Sequence, residues 1–526
     1  MSLGHSVFAG VRAAGPREVL VCGRRRLTGD DVLEMVAGAA AALRARGIRR
    51  GDTIACMSGR QPETTVARLV MLALGCPVVH LLPGVRIEAA ARTMRTLGTT
   101  VLLHEPCRQE DADRLLEAYP VPIVYRLDAD LFSTPHGGLV SPPEVLPDEL
   151  SAVAFTNGTT GGAKAVAYSQ RAEAAHLAAA RATFGPEPWR FLMPPGHYVP
   201  NQLALWALAT GGTAVLVDDT EVGHEPEVIA RERVTQALAG RPIELYDLAG
   251  RMGPVALGTG PGTLRLLLYG GAAAVPTRSM EVVMGLGPVA LQCYGLTEAG
   301  FVTALSPLDH LRPDRVTSVG QPVEGVEVCV RDLEGRALRV GEIGEVWVRS
   351  PQLMSGYVGE PERTARTLRD GWVRTGDLGH LNADGYLFLV DRVENRLAEG
   401  VYAHPIEHVL TSHPAVADAA VFAVPHEGGH VVAGTVVRRA DGEVDLDVLR
   451  ALVRDSLGAR CEPLHLWLID KVPRTPGGKP DKAALRLRYE HTVPAATEPI
   501  HIAPITIEPI TIEPITIEST TEPVAT

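Results

Sequence analysis

Lysine is nearly missing from this chain. Of 50 Lys and Arg side chains only four are lysines, Lys164, Lys471, Lys479 and Lys482, so arginine carries most of the positive charge. A net charge of -12 argues against a nucleic-acid partner, which requires a basic face. The seven cysteines, at 22, 56, 76, 107, 293, 329 and 461, are dispersed and form no Cys-x-x-Cys pair. That excludes a zinc ribbon or a disulfide framework and points to a reducing, cytoplasmic compartment. No apolar run reaches the length of a membrane span; the longest, Val66 to Leu82, contains Arg68 and His80. The opening Met1-Ser2-Leu3-Gly4-His5-Ser6 lacks the basic start and apolar core of a secretory signal. What remains is an ordinary globular composition, 46% hydrophobic and 21% charged.

The most informative stretch is Phe155-Thr156-Asn157-Gly158-Thr159-Thr160-Gly161-Gly162-Ala163-Lys164-Ala165-Val166. Its glycines let the backbone approach a ligand closely, and consecutive amides in such a turn form a concave anion site. Thr159 and Thr160 add hydroxyl donors, and Lys164 adds a compact cation. The spacing is not that of the P-loop NTPases. Two of the rare lysines, Lys164 and Lys479, lie in glycine-rich loops, where a slim point charge reaches a phosphate that a guanidinium would crowd.

Along the chain, amphipathic helices at 30–50 and 61–74 alternate with short β-branched strands at Thr53–Cys56, Pro77–Val79 and Thr100–Leu103. The alternation recurs at Leu150–Val166, Gly212–Val217 and Thr263–Tyr269, and predicts parallel sheets covered by helices. From Gly320 to Arg349, strands separated by Gly turns predict a small antiparallel β unit closing a large domain, 1–391. A smaller α+β domain follows over 392–490. The tail, 491–526, carries Ile-Glu-Pro-Ile-Thr repeats as far as Ile517; proline every fifth residue opposes helix and ladder alike and predicts disorder.

Four separated motifs combine: the loop above; Tyr294-Gly295-Leu296-Thr297-Glu298; Trp372-Val373-Arg374-Thr375-Gly376-Asp377, with Asp391-Arg392 beyond it; and Pro473-Arg474-Thr475-Pro476-Gly477-Gly478-Lys479. In this order they resemble the adenylate-forming superfamily, which includes acyl-CoA synthetases, peptide-synthetase adenylation domains and beetle luciferases. The resemblance implies a large N-terminal α/β domain and a mobile smaller C-terminal one. It also implies a two-step reaction, in which a carboxylate and Mg-ATP give acyl-AMP and a thiol, usually that of coenzyme A, then takes the acyl group. The expected activity is an acid–CoA ligase for a hydrophobic acid. The alternatives are an enzyme that only thioesterifies a preformed adenylate, and one that loads a carrier-protein thiol.

The same resemblance assigns roles. Thr156, Asn157, Gly158, Thr159, Thr160, Gly161 and Lys164 would hold the β- and γ-phosphates. Tyr294 would stack on adenine, with Gly295, Gln292 and Gly270-Gly271-Ala272 beside it. Thr297 would touch the α-phosphate and Glu298 would bind Mg²⁺, a hard cation that prefers oxygen. Asp377 and Arg392 would take the ribose, and Lys479 would bridge the carboxylate and the α-phosphate. Glu394 would be the hinge of a domain rotation that brings either Lys479 to the ATP or the loop at Gly400 to the pantetheine arm of CoA. The acid pocket falls around His197, Tyr198, Trp206 and Tyr246, with His197 also a candidate catalytic group. The absence of an aspartate over 194–201 argues against an amino-acid substrate.

The departures matter as well. The family's loop usually has Ser, Pro and Gly where this chain has Asn157, Ala163 and Ala165, and the stretch between Arg392 and Gly400 is about one residue short. A Cβ at 165 and an amide at 157 bear on triphosphate binding, and hence on the adenylation step.

Overall fold

In the computed structural model of the chain, the described residues are 1–492 apart from 60, 136–137, 157–162, 195–197, 253–263, 333, 399–400, 427–428, 440–441 and 475–479. The repeat tail lies outside them. The chain divides into two compact units. The larger takes in Met1–Leu311 and Arg315–Arg396, and the smaller takes in Leu397–Pro473 and the residues from Asp481.

Two sheets carry the larger unit. Among the described residues the first has nine strands. Its centre is a parallel run in the order Ala290–Leu296, Leu266–Gly270, Gln236–Gly240, Arg190–Met193, Thr213–Leu216, Glu18–Cys22. Antiparallel strands Gly300–Leu305 and Gln321–Pro322 extend one edge, and Arg25–Thr28 extends the other. The second sheet is parallel through Leu150–Phe155, Val78–His80, Ile54–Met57, Val101–His104 and Ile123–Arg126. Its other edge is antiparallel, through Ala165–Ser169 and the two-residue strand Gly356–Tyr357.

Local chemistry sets the helices between these strands. Gly29–Ala45 starts at a capping box in which Thr28 and Asp31 satisfy each other's backbone amides. Pro62–Leu74 has proline at its start, where no amide partner is needed, and a left-handed glycine, Gly75, at its end. Every residue of that helix is buried, consistent with a position between layers rather than at the surface. Val66, Leu69, Val70, Trp189, Phe191 and Leu208 share one core with the helix Leu3–Ala14.

A third sheet of five strands, Glu327–Arg331, Gly344–Arg349, Leu368–Arg369, Trp372–Leu381 and Leu387–Arg392, is antiparallel throughout. It is the β unit the Gly-turn texture predicts, continued as far as Arg392. Beyond it, the strands Arg396–Ala398 and Val401–Tyr402 pair with each other. The smaller unit is α+β. The hairpin Val416–His426 with Gly429–Arg438 takes His465–Leu468 as a parallel third strand. Helices Ala403–Ser412 and Leu446–Leu457 bury Ile406, Leu410, Leu449 and Val453 in its core. Lys482 ties the last helix to this unit through a 2.8 Å ion pair with Glu407.

Candidate active site

The glycine-rich stretch joins two strands that pair with each other. Leu150–Phe155 and Ala165–Ser169 pair antiparallel up to Phe155 and Ala165. At the loop's base the Thr156 amide donates to the Lys164 carbonyl (2.9 Å) and the Lys164 amide to the Thr156 hydroxyl (3.3 Å). This stem fixes where the loop begins and where its lysine emerges. Asn157, Gly158, Thr159, Thr160 and Gly161 lie outside the described residues. Ala165, one of the departures from the family pattern, is 5% exposed and packs in a core with Phe155, Val153 and Val79. Its Cβ belongs to the hydrophobic layer of the strand.

Lys164 reaches across to the other sheet. Its Nζ lies 3.9 Å from Glu298 Oε1 and 5.3 Å from the centre of the Tyr357 ring. Glu298 and Thr297 occupy the tight turn that reverses Ala290–Leu296 into Gly300–Leu305. Two tyrosines hold this turn. Tyr168 donates to the Thr297 carbonyl at 2.5 Å, and Tyr357 donates to Glu298 Oε1 at 2.7 Å. Burial, and then the nearby Glu298 carboxylate, push the Tyr357 hydroxyl well above the usual phenol range, so it remains a donor.

Three residues before Thr297, on the strand that leads into the turn, Tyr294 donates to Asp377 Oδ2 at 2.6 Å. Arg392 Nε donates to the other carboxylate oxygen at 2.7 Å. The long strand Trp372–Leu381 and its neighbour Leu387–Arg392 place Asp377 directly opposite Arg392 in the ladder. Thr375 accepts the Asp377 amide (3.0 Å) on its hydroxyl and accepts Arg392 (3.1 Å) on its carbonyl. Burial, followed by the Asp377 charge, raises the Tyr294 phenol far above its ordinary value. Tyr294, Asp377 and Arg392, separate in sequence, thus form one hydrogen-bonded edge.

Beside them, Gly270 ends its strand opposite Cys293, where a Cβ would meet the Cys293 carbonyl oxygen at 2.0 Å; only glycine fits. Gly271 and Ala272 follow, exposed. Gln292 is buried and accepts from the Tyr269 hydroxyl at 3.1 Å, and that hydroxyl also meets His310 Nε2 at 2.8 Å. Burial lowers the His310 imidazole, keeping the ring neutral near physiological pH.

Of the candidate acid-pocket residues, Trp206 and Tyr246 have described side-chain contacts. Tyr246 accepts the Val275 amide at 2.8 Å and bonds Ser279 Oγ at 3.1 Å, so it braces the segment after Ala272. Trp206 packs on Phe184, with ring centres 6.2 Å apart, inside the main core; among the described residues its indole N–H has no acceptor. Tyr198 begins the helix Tyr198–Ala209. His197, Lys479 and Gly400 lie outside the described residues, and Glu394 falls in the single turn Val393–Asn395. Tyr168 and Tyr357 are the site residues that sequence reasoning misses. Tyr168 follows the glycine-rich stretch closely and Tyr357 lies apart from every quoted motif, and nothing in a linear pattern says that either hydroxyl reaches Thr297 or Glu298.

Helix-covered parallel sheets, a hairpin loop with one lysine, and an aromatic–carboxylate–arginine edge are the frame of a nucleotide-dependent adenylating enzyme. Residues 8–358 match the family of AMP-binding enzymes, and residues 405–479 match the AMP-binding enzyme C-terminal domain. The chain belongs to this family of adenylate-forming acid–thiol ligases, and it binds ATP or AMP. It is 28% identical to a medium/long-chain-fatty-acid–CoA ligase, FadD8, of Mycobacterium tuberculosis (strain ATCC 25618 / H37Rv), over 92% of this chain and 90% of that one. It is 30% identical to a fatty acid–[acyl-carrier-protein] ligase, ScoC, of Streptomyces coeruleorubidus, over 89% and 93%. Among solved structures it matches the amide bond synthetase McbA from Marinactinospora thermotolerans at 37% identity and TM-score 0.84, covering 92% of this chain and 99% of that one. Among the described residues, no helix is long and apolar enough to cross a membrane.

Proposed function

We propose that this enzyme joins a hydrophobic carboxylic acid to the thiol of coenzyme A through an acyl-adenylate. The observation that carries the reading is the convergence near one turn: Lys164 meets Glu298, while Tyr294, three residues before Thr297, donates to Asp377, whose other carboxylate oxygen is held by Arg392. That is a cation for phosphate, a carboxylate for a metal and a carboxylate for ribose hydroxyls, held by neighbouring strands. In the first step a carboxylate oxygen of the acid bonds to the α-phosphorus and pyrophosphate leaves. In the second the thiol sulfur bonds to the acyl carbon, its proton is lost, and AMP leaves. Both displacements depend on positioning and charge placement more than on covalent help.

The chain's own groups divide this work. Lys164 and Thr156, with the loop residues 157–161, hold the terminal phosphates; Thr297 contacts the α-phosphate; Asp377 and Arg392 orient the ribose; Tyr294, Gln292 and Gly270–Ala272 frame the base. Lys479 bridges acid and α-phosphate, Glu394 is the hinge, and Gly400 lines the path of the thiol. His197, Tyr198, Trp206 and Tyr246 border the acid. Glu298 suits Mg²⁺, since among the described residues its Oε2 accepts no hydrogen bond and its neighbour Lys164 is held loosely. Among the described residues no cluster of three or more His, Cys, Asp or Glu could cage a metal. One carboxylate plus phosphate oxygens and water is the usual Mg²⁺ arrangement, and the ion when bound neutralises phosphate charge. Seven free thiols support placement in a reducing cytoplasm.

A second reading has an amine taking the acyl group instead of a thiol. It is favoured by the 37% identity to an amide bond synthetase, above the 28% and 30% to the two thiol ligases. One paired assay separates the readings. One arm supplies a panel of hydrophobic acids with Mg-ATP and, in parallel, CoA, a carrier-protein thiol or a primary amine; the other supplies synthetic acyl-AMP with the same acceptors. Thioester in both arms supports the complete ligase. Amide without thioester favours the second reading, and product from acyl-AMP alone means that adenylation has been lost.

A further inference from the structure

The turn that carries Thr297 and Glu298 belongs to the first sheet, but the groups that hold it come from the second. Gly356–Tyr357 pairs antiparallel with Ala165–Ser169, placing Tyr357 opposite Val166 and Gly356 opposite Ala167, next to Tyr168. The segment after Gln352 is bonded on both sides. The Met354 amide donates to the Glu298 carbonyl (3.0 Å), while the Ser355 and Val358 amides donate to Ala167 (2.8 Å) and Ala165 (2.9 Å). It is therefore a strap between the hairpin that bears the phosphate loop and the turn that bears the acidic residue. Tyr357 on this strap is 5% exposed, and its phenol oxygen reaches Glu298 Oε1 at 2.7 Å. The face of the same ring lies under the Lys164 ammonium at 5.3 Å.

We propose that Tyr357 is a positioning residue of the nucleotide–metal site: its hydroxyl fixes Glu298 for Mg²⁺, and its ring face holds Lys164. Tyr168 does the corresponding work on the backbone at Thr297. The inference rests on the adenylation reading above. A hydrogen bond to one carboxylate oxygen selects a rotamer and leaves the second oxygen for the ion, which is how outer groups tune a ligating carboxylate. The cation over the ring keeps Lys164 beside the carboxylate in the absence of phosphate. ATP and Mg²⁺ then meet two charges already placed, rather than a mobile lysine and a mobile glutamate.

The test is equilibrium binding of ATP by calorimetry, with and without saturating Mg²⁺, with no acid or acceptor present. Tyr357→Phe keeps the ring face and removes the hydroxyl. It is expected to reduce the gain in ATP affinity that Mg²⁺ confers by about tenfold, with metal-free affinity within about twofold of wild type. Tyr168→Phe is expected to weaken ATP equally in both conditions. In a Glu298→Gln background the Tyr357→Phe change is expected to add nothing, because the carboxylate it serves is gone. An unchanged Mg²⁺ gain in Tyr357→Phe, or a further loss in the Glu298→Gln background, overturns the proposal. Wild-type chain that binds no ATP in either condition overturns the adenylation reading itself, and the two failures are distinct.

Discussion

Two ion pairs in the larger unit differ in how tightly they are closed. Arg68 and Glu173 meet at 2.7 Å with side chains 4% and 0% exposed, whereas Lys164 and Glu298 stand 3.9 Å apart at 33% and 12%. The first joins the buried helix Pro62–Leu74 to the helix Gln170–Thr183, and Ser151, at the foot of the loop hairpin, donates to the same Glu173 oxygen. It belongs to the scaffold on which the hairpin stands. The second lies at the hairpin's mouth and is loose, so both charges remain available to a ligand. A charge needed for binding is left partly solvated and weakly paired, while a charge needed for architecture is buried with a close partner.

Breaking the scaffold pair should have the largest effect. Arg68→Ala leaves Glu173 buried without its cation, and the expected loss is about 3–5 kcal/mol of stability in urea unfolding. A loss below about 1 kcal/mol would remove the distinction drawn between the two pairs.

Next is a second scaffold charge, Glu232, which receives Arg26, Arg190 and Arg231 at 2.7, 2.8 and 3.0 Å. Burial alone would raise this carboxyl, but hydrogen bonds from Arg26, Arg231 and Arg190 outweigh it and hold it at about 2, against 4.5 unpaired. Because the folded value is the lower one, the stabilisation is complete above pH 4.5 and is lost as pH falls towards 2. It amounts to at most about 3 kcal/mol. Glu232→Gln should flatten the acid limb of a stability–pH profile in that window, and an unchanged limb would contradict the assignment.

The loose pair should behave oppositely. Glu298→Gln is expected to slow acid-dependent pyrophosphate release about 100-fold, with unfolding in urea little changed. A comparable loss of stability would make Glu298 a scaffold residue. The smallest effect is expected at the departed loop position. Ala165→Gly should cost about 1 kcal/mol of stability, since glycine weakens a strand and empties a core site, without altering the KM for ATP. A severalfold change in that KM would show that Ala165 bears on the phosphates after all.

Much of this arrangement is legible in the sequence because it is local. Helix and strand alternation predicts the covered parallel sheets, and the β-branched stretches fall on strands Ile54–Met57, Val78–His80 and Val101–His104. The glycine-rich run lies where hairpin pairing gives out, beyond Phe155 and Ala165. The small antiparallel unit is visible from Gly320 to Arg349, but its last strands are not, because Trp372–Leu381 alternates only in part and takes one partner, Gly344–Arg349, from across an intervening helix, Pro361–Thr367. The tyrosine contacts are illegible because they too join segments far apart in the chain. Tyr168 and Thr297 are 129 residues apart, Tyr357 and Glu298 are 59 apart, and no periodicity encodes such a meeting. Resemblance alone puts Tyr246 and Trp206 at the acid; the structure adds that the Tyr246 hydroxyl is engaged with Val275 and Ser279.

The most direct measurement is acid-dependent exchange of pyrophosphate into ATP by the purified chain, across a panel of hydrophobic carboxylic acids with Mg²⁺. Exchange that requires one or more of these acids, and that falls about 100-fold in Glu298→Gln, is the result expected of an adenylating enzyme. No exchange with any acid, while synthetic acyl-AMP still passes its acyl group to CoA or an amine, would contradict the account and leave a transferase without its first half-reaction.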